Sequence, residues 1–317
     1  MLRRMLFVGA VVALCLGWLP DAAVPQAAAA QASPSPCAAN TNEEIRSLTT
    51  DFDRAFVQGD IDTLAQLISP DIVRDTPMGD QTGSDETLAS FSAFFEAFPD
   101  LTSDVDLLVV DAPLAALHYI ATATQASTFF GNEPPGQPVT FAGMFLLTFE
   151  CGKVVHMYSE VDQLSQRGQS TSTPATPVAE AGAASPESCS ALTDETATTL
   201  MDTWYHDVWT GQADLLATLT TPDIYHHWAQ GPDSSGQDAQ LAHVQATIDM
   251  LPGLTSDYDA MAVDGDLIAV HWTQTLGDDS WGGLNIFHTT CGLIDEVWSE
   301  MDLNELPGLT GEATPGA

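Results

Sequence analysis

Apolar side chains at Ile45, Leu48, Phe52, Ala55 and Phe56 recur at steps of three and four, the spacing of one helix face. Gly59 ends that pattern. A short second helix is predicted over 62–68 and a third over about 84–98. Beyond Phe98 the period switches to two. Residues 105–110, 115–126, 139–149 and 154–162 alternate as strands, separated by Asp111-Ala112-Pro113 and Cys151-Gly152. Three helices followed by antiparallel strands form an α+β pattern. Helices packed on one face of a strongly curved sheet leave a cavity between the layers, the usual place for a small-molecule site.

The pattern is then written again. Ser69-Pro70-Asp71-Ile72 recurs as Thr221-Pro222-Asp223-Ile224, an offset of 152. Pro99-Asp100-Leu101-Thr102-Ser103-Asp104 recurs as Pro252-Gly253-Leu254-Thr255-Ser256-Asp257, an offset of 153. Cys151-Gly152 returns as Cys291-Gly292, and Ser159-Glu160-Val161-Asp162 as Ser299-Glu300-Met301-Asp302, an offset of 140. Blocks that keep their order and spacing mark a doubled unit. The shorter last offset locates a deletion of 13 residues in the second copy, opposite 128–140. Helices of the second copy follow: Ala197, Leu200, Trp204 and Val208, then about 214–219 and 238–251.

The stretch between the copies is rich in Ser, Thr, Pro and Ala and has almost no large apolar side chain, so it reads as a linker over 168–188. The N-terminus has Arg3 and Arg4, an apolar run over 6–19, and a small-residue end at Ala30-Gln31-Ala32. That is the pattern of a secretory signal over 1–32, with an uncleaved anchor as the alternative. The expected plan is signal, short tail 33–36, domain 37–167, linker, domain 189–304 and tail 305–317.

Composition narrows the partners. Asp and Glu number 44 against 7 Lys and Arg, a formal net charge of −37. Nucleic acid and anionic membrane surfaces are excluded as partners, since both require clustered basic residues. From Gly168 onward there is no Lys or Arg at all, so a small, largely apolar, neutral ligand suits the second unit. Cys37 and Cys189 each open a unit, and Cys151 and Cys291 share a late position. Four cysteines permit three connectivities. Repeat symmetry favours Cys37–Cys151 and Cys189–Cys291, and a secreted location makes oxidation plausible.

The run Phe98-Pro99-Asp100-Leu101, then Thr122-Ala123-Thr124-Gln125 and Phe129-Phe130-Gly131-Asn132-Glu133-Pro134-Pro135-Gly136, resembles the SnoaL-like polyketide cyclases. Gly152-Lys153-Val154-Val155-His156-Met157-Tyr158-Ser159-Glu160-Val161-Asp162 is similar to that family's last strand. The resemblance implies two tandem cone-shaped domains of the NTF2-like superfamily, the halves packing as a pseudo-dimer. It also implies acid–base chemistry on a small apolar carbonyl compound, or plain binding of one. The alternative is a non-catalytic extracellular ligand-binding or protein-interaction module.

The resemblance and the residue types together suggest a site. Removing a proton next to a carbonyl needs a base tuned towards ambient pH, which a carboxylate in an apolar pocket can supply. A donor must also face the developing oxyanion. Asp302 with His227 is the candidate catalytic pair of the second unit, and Asp162 with Tyr158 that of the first. Asp75, His118, His271, Glu296 and Trp298 are expected at the ligand pockets. His226-His227 offers metal-ligand types, but neighbours on a strand point apart, so neither a metal nor a cofactor is expected.

Overall fold

The computed structural model describes residues 37–76, 79–129, 134, 138–161, 192–228 and 233–301. The expected signal 1–32, linker 168–188 and tails 33–36 and 305–317 lie outside the described residues.

In the first half, helix α1 (Asn42–Val57) starts at a capping box: the Glu44 amide donates to Thr41 Oγ1, and the Thr41 amide donates to the Glu44 carboxylate. There follow α2 (Ile61–Leu67), β1 (Ile68–Asp75), β2 (Gln81–Thr82), α3 (Ser84–Ala97), β3 (Thr102–Asp111), β4 (Leu114–Thr124), β5 (Pro138–Glu150) and β6 (Lys153–Val161). The second half repeats the plan. Helix α4 (Asp194–Asp202) runs on as a π-helical turn, Thr203–Val208, and a 3-10 turn, Ala213–Leu215, leads into α5 (Leu216–Leu219). The rest is β7 (Thr220–Trp228), β8 (Ser234–Ser235), α6 (Gln237–Met250), β9 (Thr255–Asp264), β10 (Leu267–Leu276), β11 (Asp279–Thr290) and β12 (Leu293–Met301).

Each half is a six-stranded sheet, in the orders β2-β1-β6-β5-β4-β3 and β8-β7-β12-β11-β10-β9. This is the expected pair of NTF2-like α+β units. The sheets are not purely antiparallel, because β1 runs parallel to β6 and β7 parallel to β12. The sequence pattern did not reveal β1, and of β7 only the His226-His227 pair was treated as strand. Ser69-Pro70-Asp71 interrupts the alternation, and the register against β6 shifts between Ile68 and Val73.

The hairpins β5–β6 and β11–β12 turn on Cys151-Gly152 and Cys291-Gly292, all four at positive φ, the conformation that a tight two-residue hairpin needs. Cys37 and Cys151 form a disulfide across a sequence separation of 114. Constraining a loop of that length is worth up to about 4–5 kcal/mol in the chain-entropy view. Cys291 is also disulfide-bonded, while Cys189 lies outside the described residues.

The outer faces of the two sheets meet in one apolar cluster, with Val109, Ala116, Met144, Leu146 and Tyr158 from the first half and Ala262, Ala269, Leu284 and Ile286 from the second. Around it the contacts are reciprocal. Val110 N donates to Asp264 Oδ2 at 3.1 Å, and Val263 N donates to Asp111 Oδ2 at 3.2 Å. Val110 and Val263 are repeat counterparts, as are Asp111 and Asp264, so residue i meets j where j meets i, the mark of a two-fold contact.

Candidate functional site

The inner faces of the two sheets differ sharply. In the first half, Phe52, Phe56, Phe91, Phe94, Phe98 and Phe145 are buried against one another, and Phe129 closes on Phe94 and Phe98 at ring separations of 5.6 and 5.3 Å. What remains is a cavity of about 40 Å³. In the second half the same space holds a cavity of about 610 Å³. Its wall includes Trp204, Tyr205, Trp209, Trp228, Trp272 and Trp281.

Strand β7 sets the polar end of this cavity. Alternation sends His226 and Trp228 inward and Tyr225 and His227 outward. The His226 and Trp228 rings stack at 3.4 Å, and Trp228 lies 4.0 Å from the His243 ring. Gln240 Oε1, an acceptor, sits 3.1 Å from His226 Nδ1, so Nδ1 carries the proton. Nε2 is then left to accept from Ser299 Oγ at 2.6 Å. Burial holds His226 well below its ordinary pKa, and His243 is lowered for the same reason. The imidazole of His226 is therefore neutral, with both nitrogens engaged.

The opposite wall is held by a second chain. Trp272 Nε1 donates to Asn285 Oδ1 at 3.0 Å, and Asn285 Nδ2 donates to Tyr205 OH at 2.9 Å. Trp281 Nε1 donates to Gln274 Oε1 at 3.2 Å. Trp204 Nε1 is buried with no hydrogen-bond partner among the described residues. Gly283 is what lets Trp272 lie so close: a Cβ there would come within 2.5 Å of the indole. Tyr205 and Trp204 belong to the π-helical turn that replaces regular helix in this copy.

The described residues picked out from sequence lie outside this cavity's wall. His227 faces away from the cavity, with Nε2 2.8 Å from Glu296 Oε1 and Nδ1 3.4 Å from Asp233 Oδ2, and its ring stacks on Trp298 at 5.2 Å. Glu296 and Trp298 share that outer face, because the register sets Tyr225 beside Glu296 and His227 beside Trp298. The imidazole that enters the cavity is His226, one residue earlier. Asp75 pairs with His156 Nε2 at 2.8 Å on the corresponding outer face of the first half.

Tyr158, His118 and His271 lie where the halves meet. Tyr158 stacks on His271 at 3.7 Å and donates to Asp259 Oδ2 at 3.2 Å, and His271 Nδ1 is 2.6 Å from Asp259 Oδ1. His118 Nδ1 is 2.6 Å from Asp106 Oδ1, and its Nε2 is 3.8 Å from the buried Glu300 of the other half. Asp162 and Asp302 lie outside the described residues. Among the described residues no group of three or more His, Cys, Asp or Glu is placed to hold a metal.

The cavity residues that sequence reasoning passed over are His226, Tyr205, Gln274, Asn285 and Ser299. The available signal was the repeat itself. Where the first copy has Arg74, Ala121 and Phe145, the second has His226, Gln274 and Asn285, a change of character at three positions of one inner face.

Comparison with known proteins gives two family matches in tandem. The SnoaL-like polyketide cyclase model covers residues 47–170, and a SnoaL-like domain model covers residues 201–297. No curated protein matches. Solved structures similar to this chain include AclR from Streptomyces galilaeus, 27% identical over 38% of this chain and 90% of that one, with a TM-score of 0.35. IdmH from Streptomyces antibioticus is 26% identical over 38% of this chain and 93% of its own, with a TM-score of 0.35. A SnoaL-like polyketide cyclase from Agrobacterium tumefaciens is 20% identical over 40% and 98%, with a TM-score of 0.37.

Proposed function

Since this chain belongs to the SnoaL-like family and carries two such domains in tandem, we propose that they have divided their work. The second binds a small, neutral, largely apolar carbonyl compound, and the first is its filled scaffold. The observation that carries this reading is the contrast between a cavity of about 610 Å³ in one half and about 40 Å³ in the other. The larger value lies in the usual range of ligand sites.

The chemistry of the wall supports a neutral guest. The second half has no Lys or Arg, and burial keeps His226 uncharged, so an anion finds no cation there. Indole faces favour flat apolar rings. Binding is the leading role, because His226 has both nitrogens committed and holds no lone pair in reserve for a base. Acid–base turnover is the second reading; Asp233 lines the cavity, with its carboxylate engaged by Tyr225 OH and His227 on the outer face.

The reading extends to export, supported by the N-terminal pattern and the Cys37–Cys151 bridge. It extends also to the halves acting as an intramolecular pseudo-dimer, supported by the reciprocal contacts of Asp111 and Asp264.

Five of the seven tryptophans line the cavity, so intrinsic fluorescence reports on it. Titration with neutral aromatic ketones is expected to quench it saturably, and the matching carboxylates to leave it unchanged. Equal response to both, or response to neither, would remove the proposal.

A further inference from the structure

Two side-chain amides line the cavity of the second half, and only one of them is fully used. Asn285 is engaged at both ends, with Trp272 and with Tyr205. Gln274 is engaged at one: its Oε1 accepts from Trp281 Nε1 at 3.2 Å. An indole N–H can only donate, so this bond fixes which end of the Gln274 amide meets Trp281 and rules out the flipped form. Nε2 is left with two N–H groups, and no acceptor among the described residues takes either.

That nitrogen is not sealed. Gln240 Nε2, Ser256 Oγ and Trp204 Nε1 are completely buried and lack a hydrogen-bond partner among the described residues, whereas Gln274 Nε2 keeps accessible surface. Gln274 is only 8% exposed and lines the cavity, so the surface it keeps faces that space. In the sheet Gln274 lies between Trp281 and Ser256. The first half has Ala121 between Phe141 and Ser103 at the same place. The amide and the indole it holds therefore come with the hollow cup and are missing from the filled one. If holding Trp281 were its whole task, one end of a buried amide would stay unpaired, which is costly in an apolar wall.

We propose that Gln274 is the specificity-determining residue of this cavity and donates a side-chain N–H to an acceptor oxygen of the guest. The inference rests on the ligand reading above and assigns the group that reads the guest's oxygen. A ketone, lactone or quinone oxygen fits this arm, and an all-carbon skeleton of the same shape leaves it unpaired. A carbonyl gains little from such a bond relative to water but loses much when buried without one. Gln274 thus acts by making an oxygen-bearing guest tolerable in a wall that would otherwise reject it.

The test compares acetophenone with α-methylstyrene, whose C=CH2 has the shape of C=O without the acceptor. Binding to the full chain is read from tryptophan fluorescence. Trp281→Phe removes the indole and keeps Gln274, with four tryptophans still lining the cavity. Trp281→Phe combined with Gln274→Met removes the amide as well, at similar volume and with no indole left to lose its acceptor. The ratio of ketone to hydrocarbon affinity should be similar in the wild type and Trp281→Phe, and should fall about tenfold in the double variant. The carbonyl stretch of bound, isotope-labelled acetophenone should lie below its frequency in hexane for the wild type and return towards it in the double variant. If both guests bind and the ratio is equal in all three proteins, the assignment of Gln274 falls while the ligand reading stands. If neither binds the wild type, both fall. Should the double variant fail to fold, the wild-type carbonyl band decides, and an unshifted band overturns the proposal.

Discussion

Phe145 and Asn285 hold the same place in their two sheets, each beside the serine of the last strand, Ser159 and Ser299. Phe145 packs on Phe52, Phe56 and Tyr119 at ring separations of 5.8, 5.3 and 5.4 Å. Asn285 instead ties Trp272 to Tyr205 by hydrogen bonds. One substitution thus removes a ring from the centre of the cup and gives its neighbours polar partners at the wall. Deletion of the segment opposite 128–140 removes the counterpart of Phe129, which in the first half closes over Phe94 and Phe98.

Restoring the first-half residues should therefore close the second cup. Asn285→Phe combined with Thr247→Phe, the counterpart of Phe94, is expected to abolish the fluorescence response to neutral ketones. The double variant should stay folded, at a cost of about 1–3 kcal/mol for the partners Asn285 leaves behind. The converse change, Phe145→Ala, opens a void in a well-packed core and should cost about 3–5 kcal/mol in urea unfolding. A filled second cup that still binds would separate the site from this cavity.

His226 predicts the acid limb of stability. Burial holds it neutral in the fold, whereas the unfolded chain takes up a proton below about pH 6.5. Below that pH the unfolded state binds more protons, so stability falls as pH falls. His226→Gln keeps a hydrogen-bonding side chain but removes the titration. The wild-type advantage over the variant should shrink between pH 7.5 and 5 by as much as about 1.4 kcal/mol per pH unit. His243 pulls in the same direction and remains in both proteins. Parallel pH profiles for the two proteins would show that His226 does not titrate as stated.

His118 acts in the opposite sense. Burial disfavours its charge, but the hydrogen bond with Asp106 and the nearby Glu300 carboxylate outweigh that and raise it to about 9. The native state then holds a proton that the unfolded chain releases above about pH 6.5, so its contribution is complete below that pH and lost as pH rises through 9. His118→Gln leaves the buried Glu300 without its cation and is expected to cost on the order of 3 kcal/mol at pH 6. The deficit should narrow by pH 10, read from urea midpoints. A constant deficit across that range would rule out the protonated imidazole.

The doubling was legible because recurring blocks such as Cys-Gly and Ser-Glu survive at fixed spacing, and so were the three helices and the hairpin strands. The full extents of the strands carrying Arg74 and His226 were not, since Pro70 and Pro222 and the register shifts break the two-residue period that identifies strands. Choosing between His226 and His227 needed the absolute phase of that strand, and adjacent residues on a strand differ by a whole face. Five tryptophans of the second half surround a cavity, and hydropathy alone does not distinguish a filled cup from a hollow one. The candidate acids Asp162 and Asp302 lie outside the described residues, so the wall is defined by its indoles, amides and imidazoles.

Asp111 and Asp264 carry the final prediction. Each accepts an edge-strand amide of the other half, and Asp264 also takes Arg46 Nη2 at 2.6 Å. Arg46 is half exposed, so that ion pair adds little, about 0–1 kcal/mol. The amide contacts matter more, because β3 and β9 would otherwise present open edges. Asp111→Ala and Asp264→Ala should each cost about 1–2 kcal/mol, and the double variant should loosen the halves. All tryptophans beyond Trp18 lie in the second half, so fluorescence follows that half while far-ultraviolet circular dichroism follows both. Coincident urea transitions are expected for the wild type and separated ones for the double variant. If the double variant unfolds at the wild-type midpoint with the two probes still superimposed, these aspartates do not hold the halves together.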